Sequence, residues 1–273
     1  MSGRSVFAPI APLALVAPLA LAASAALLGC IGTTGGEVVS FEAELVGPPG
    51  VEGHAITFTS GRGLPVRLTR ATLLVGAIYM NRTAPISVGQ EKACILSGTY
   101  VGEVLGGATV DLLSGAPVRI PAGGRGTSDR AVTGELWLTR GDVDAPDDRT
   151  VIAEVEGEVT LPAGSKPFRG SVTFGANRSS AAVDPARPGA DAPCKQRIVS
   201  PIPIDVTPTE GGLLSVRVDP RGWFALVPFD DLRESGGVLV FDDANSNASS
   251  VGLADGIRAV RGVTTFAWSP RLP

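Results

Sequence analysis

The side chains able to do chemistry in this chain are few and scattered. A single histidine, His54, follows Gly53 at the entrance to an alternating stretch that runs on through Ile56 and Phe58. One imidazole suffices for a general base, but no Gly-x-Ser-x-Gly elbow accompanies it. A zinc centre needs several nitrogen or sulfur ligands. His54 is therefore read first as a strand-edge residue and second as a candidate metal ligand. Glu154, Glu156 and Glu158 alternate with Val155, Gly157 and Val159, which puts three carboxylates on one face of a strand. Arg169, on the next predicted strand, is their expected counter-charge. The plainer reading is a solvated, arginine-paired face; the functional one is a surface for a cation or a basic partner.

Two loops are rich in oxygen ligands. Asp142, Asp144, Asp147 and Asp148 cluster in Gly-Asp-Val-Asp-Ala-Pro-Asp-Asp and form the candidate hard-cation site, with calcium the expected ion. Asp243, Asn245 and Asn247 occupy the first three alternate positions of a calcium loop. The pattern then fails, because Ala248 stands where glycine is required and Ala254 where the bidentate glutamate belongs. Asp and Asn are also ordinary turn formers.

The elements that would position these groups read as strands. The chain has 273 residues, with 35 Gly and 22 Pro against 5% aromatic content, a punctuation density that suits short strands and many turns. In 37–46, Val39, Phe41, Ala43 and Leu45 face one way while Ser40, Glu42 and Glu44 face the other. Similar alternation marks 54–59, 132–139, 151–161, 168–174 and 213–218. Residues 66–80 are longer, and the alternation slips between Leu68 and Ala71, which predicts a bulge or two strands. Asp219-Pro-Arg-Gly222 suits a type I turn, with Trp223 and Phe224 anchoring the core behind it. On the strand over 132–139, Trp137 is predicted outward, opposite Leu136 and Leu138. Phe229 to Ser235 can form one helical turn, and no longer helix stands out. Residues 179–193 are a proline-rich loop. The expected fold is all-β, an antiparallel β-sandwich with long loops, formed by a single domain over 37–273. A net charge of −4 offers no electrostatic case for nucleic acid.

Upstream of this body, Arg4 precedes an apolar run over 6–28 that ends in Leu27-Leu28-Gly29-Cys30. This segment resembles the lipobox read by the bacterial lipoprotein signal peptidase, with Leu at −3, Gly at −1 and Cys at +1. The resemblance implies that 1–29 are removed as a signal peptide, that Cys30 carries acyl chains including palmitate, and that 30–36 form a lipidated tether. Ile31 after the cysteine implies sorting to the outer membrane, with the body in the periplasm or at the cell surface. The alternatives are an ordinary cleaved signal and a retained membrane span. Pro9, Pro12 and Pro18, and the lack of a basic flank after the run, tell against the span. With Cys30 acylated, Cys94 and Cys194 remain, and an oxidising compartment makes a disulfide their simplest use.

The run Leu68-Thr-Arg-Ala-Thr-Leu-Leu-Val-Gly-Ala-Ile-Tyr-Met80, followed by Val110-Asp-Leu-Leu113, resembles β-sandwich periplasmic proteins associated with copper uptake in methanobactin gene clusters. That likeness implies a β-sandwich and copper handling. The ligand count tells against a copper site here, because after processing only His54 and Met80 remain as imidazole or soft ligands. The expected function is a lipid-anchored envelope protein with a non-catalytic binding or structural role, its partners the membrane and other envelope proteins. Periplasmic copper or calcium binding is the first alternative, and a hydrolase with a carboxylate site the second.

Overall fold

The computed structural model describes residues 35–51, 53–84, 98–140, 150–173, 195–241 and 247–271. Among them the first half of the chain forms β1 (Val38–Val46), β2 (Ile56–Thr59), β3 (Pro65–Asn81), β4 (Tyr100–Asp111), β5 (Val118–Arg119), β6 (Gly124–Thr127) and β7 (Ala131–Trp137). The second half supplies β8 (Val151–Leu161), β9 (Gly164–Thr173), β10 (Ile198–Val206), β11 (Leu213–Val218), β12 (Arg233–Ser235), β13 (Val238–Phe241) and β14 (Thr264–Ser269). One α-helix, α1 (Ala248–Ile257), precedes β14. No helix among the described residues is long and apolar enough to cross a membrane.

The strands belong to one curled sheet organised by β3. This strand runs for 17 residues and serves two neighbourhoods. Its first half pairs with β2 and β8, and its second half with β4 and β7. The register against β8 shifts between Leu68 and Arg70, the place where alternation slips in the sequence. From β4 the sheet continues through β6, β1 and β11 to β14. On the other side β7 pairs with β10, and β10 curls round to within 8 Å of β14 without a ladder between them. The expected all-β class holds, but the antiparallel sandwich needs correction. β1 pairs with β11 in parallel, as does β9 with β13, so the sheet is mixed. Alternation encodes which face a residue presents; it carries no information about which distant strand pairs, or in which direction.

Two differently built halves result. In the curled half, which runs from the C-terminal part of β3 round to β14 and back through β10 and β7, ring side chains press onto glycines. A Cβ at Gly124 would lie 2.1 Å from the Phe41 ring, and one at Gly134 would lie 2.6 Å from the Phe266 ring. Phe41 also meets Trp268 edge-on, with centroids 5.2 Å apart. The other half, around the N-terminal part of β3 with β2, β8, β9, β12 and β13, is filled by phenylalanines. Phe168 lies 5.6 Å from Phe224, 5.3 Å from Phe229 and 5.9 Å from Phe241. Phe58 closes the cluster against Phe224 at 5.7 Å. Each buried ring contributes about 1.5–3 kcal/mol through burial.

The turn after β11 forms as expected. Asp219 caps a short 3-10 segment, Pro220–Phe224, by accepting the Arg221 N–H at 3.0 Å, and Trp223 and Phe224 are fully buried. Phe229–Asp231 makes one 3-10 turn before β12. Helix α1, which packs on the Pro220–Phe224 segment, corrects the expectation of no longer helix. Its N-cap is Asn247, whose side-chain oxygen accepts the Ser250 N–H at 2.7 Å. The apolar residues Leu253, Ala254 and Ile257 face inward.

Candidate functional site

The site is built on the face of β3 turned away from the core. Ile78 and Met80 are buried among core residues, so Ala77, Tyr79 and Asn81 present the opposite face. On β7, Leu136 faces the core, which places Thr133, Glu135 and Trp137 beside that β3 row. Tyr79 lies across from Glu135 on one side and Glu103 on the other; Asn81 lies across from Thr133 and Tyr100. A register shift between Met80 and Asn81 brings Tyr100 alongside. The rings form a continuous row: Tyr100 to Tyr79 at 5.1 Å and Tyr79 to Trp137 at 4.9 Å, all tilted. Tyr100 is 41% exposed and Leu105, across from Ala77, 42%, so the row has an open apolar flank.

Beneath the rings, Glu135 is fully buried. Its carboxyl accepts Asn81 Nδ2 at 2.8 Å and Trp137 Nε1 at 3.0 Å. Both donors are neutral, and among the described residues no cation pairs with it. Burial pushes its pKa up, and the bonds from Trp137 and Asn81 only partly pull it back. Burial likewise raises the Tyr100 phenol to about 12, aided by the Glu135 carboxylate and by Tyr79. The Tyr79 phenol rises for the same first reason, with Glu103 and Glu135 adding to it. Both phenols therefore stay protonated at neutral pH. The amide oxygen of Asn81 is buried with no hydrogen-bond partner. The arrangement is acceptor-rich and flanked by aromatic surface, with no nucleophile–base pair among its members.

No protein-family model, curated protein or solved structure matches the chain. The functional reading therefore rests on residues and geometry.

The sequence-predicted candidates fall elsewhere. His54 sits exposed in the turn before β2 with a positive φ of 59°. Ile56 pairs with Leu68, and Met80 lies twelve residues further along β3, about 40 Å at ~3.3 Å per residue. The fold does not bring these two copper-type ligands together. Glu154, Glu156 and Glu158 do share a face of β8, and Arg169 stands across from Glu156 as expected. Arg70 pairs with Glu154 at 2.5 Å on that face. Asn247, read as a third calcium ligand, spends its oxygen on the helix cap. Cys30, Cys94, Cys194, Asp142, Asp144, Asp147, Asp148, Asp243, Asn245 and the loop 179–193 lie outside the described residues. Trp137 is on the outward face as predicted, but half-buried by the rings beside it.

Glu135, Asn81, Tyr79 and Tyr100 were not singled out by sequence reasoning. One signal was present: Glu135 and Trp137 are two residues apart on a strand, so the indole N–H can reach the carboxylate.

Proposed function

We propose that this chain is a bacterial lipoprotein of the outer membrane, anchored through acyl chains on Cys30, whose β body acts by binding rather than by catalysis. The contact surface is the Tyr100–Tyr79–Trp137 row with Leu105 on its flank. The observation that carries this reading is the row's position over a buried carboxyl that, among the described residues, is held only by neutral donors. A buried, unpaired carboxylate costs stability, and such costs accumulate at functional sites. The aromatic surface supplies contact area at low entropic cost. The lipobox resemblance supplies the anchor: three acyl chains at about 0.8 kcal/mol per buried methylene hold the protein at the membrane essentially permanently.

Site-specific photo-crosslinking in intact cells tests the binding surface. A photoreactive residue at Tyr100 or Trp137 is expected to give a discrete adduct, while the same residue at Arg62, in the exposed turn before β3, gives none. Adducts of equal yield at all three positions, or at none, refute the surface. In the same cells, Cys30→Ser is expected to abolish palmitate labelling; labelling that persists refutes the anchor.

A further inference from the structure

A cleft of about 420 Å³ opens where the two halves meet, lined by Pro49, Gly50, Ala55, Ile56, Thr57, Arg67 and Arg221. Pro49 and Gly50 follow β1 of the curled half, and Arg221 follows β11. The other lining residues belong to β2, its approach and the N-terminal part of β3. Ligand pockets run to about 300–1,000 Å³ and favour such junctions. Two arginines line this one space. Arg221 is held in place by Asp219, which engages its Nε and Nη2 and leaves Nη1 uncommitted. Arg67 has Thr57 across from it on β2 and Glu158 on β8, yet among the described residues no hydrogen bond or ion pair engages its guanidinium. Three residues further along the same strand, Arg70 is paired with Glu154. The lining is largely polar: Ala55 and Ile56 are buried beneath it, and Thr57 is exposed on its rim.

We infer that this cleft is a binding site for a small oxyanion, a carboxylate or phosphate group. Arginine presents a planar fork that matches carboxylate and phosphate oxygens, and charge-assisted bonds of this kind are about twice as strong as neutral ones. Arg67 supplies a whole fork. The free edge of Arg221, oriented by Asp219, supplies a second contact.

The test titrates the full-length protein in detergent with inorganic phosphate and, separately, with succinate, at constant ionic strength, following Tm and heat. At least one anion is expected to bind saturably and raise Tm, and the tighter of the two assigns the head group. Arg67→Gln is expected to weaken that binding about tenfold with Tm unchanged in the absence of anion, since Arg67 is exposed and unpaired. Arg221→Lys, which keeps the charge but loses the fork, is expected to weaken it less. Saturable binding that Arg67→Gln leaves intact, or no saturable response to either anion, overturns the proposal.

Discussion

The two halves that share β3 solve different problems. The half around Phe58, Phe168, Phe224, Phe229 and Phe241 is packed ring against ring and braced by α1. The curled half stops short of a ladder between β10 and β14 and carries the charged side chains that the described fold buries: Glu44, Glu135 and Arg197. Glu44 has Ser215 at 2.6 Å and Arg119 at 3.3 Å, so its charge is met. Among the described residues Glu135 has neutral donors only, Asn81 and Trp137. Apolar packing stabilises without specifying a ligand, while buried polar groups cost stability and create selectivity. The contrast separates a half packed by rings from one that buries charge.

The largest expected effect probes the first half. Phe168→Ala empties the centre of the ring cluster and should cost about 3–5 kcal/mol in chemical denaturation. Phe266→Ala, on the half-buried edge strand of the curled half, should cost clearly less. Equal losses would erase the distinction. Next, Gly134→Ala forces a methyl group against the Phe266 ring and should cost about 1–3 kcal/mol by overpacking; a neutral result would mean that the curled half has slack. Asn247→Ala should cost about 1 kcal/mol through loss of the α1 cap, read in the same assay. Arg70→Ala should change stability by less than about 1 kcal/mol, because both partners of its ion pair are over 40% exposed.

Much of this fold is legible in the sequence, for a local reason. Alternation in 37–46 and 151–161 marks β1 and β8, and Asp219-Pro-Arg-Gly222 marks the turn that delivers Trp223 and Phe224 to the core. The curl and the parallel β1–β11 pairing are not legible, because they depend on contacts across more than half the chain. Helix α1 was obscured because Asn247 suits a calcium loop as well as an N-cap. The site was harder still. Glu135 alternates with core residues just as a solvated glutamate would, and only the neighbouring strands β3 and β4, bringing Asn81, Tyr79 and Tyr100, turn that face into a buried one.

The central claim is that Glu135 is held under the aromatic row at a cost to stability. Its pKa is raised in the folded state, so the native protein binds the extra proton between the unfolded and folded values. Stability is then greatest below the unfolded value and falls as pH rises through the folded one. The direct test is the stability of wild type and Glu135→Gln from about pH 4 to about pH 8 by denaturant titration. The account predicts that the variant gains on wild type as pH rises and is the more stable protein at the alkaline end. A wild type that gains on the variant as pH rises would mean that the Glu135 charge is stabilising, and would contradict the claim.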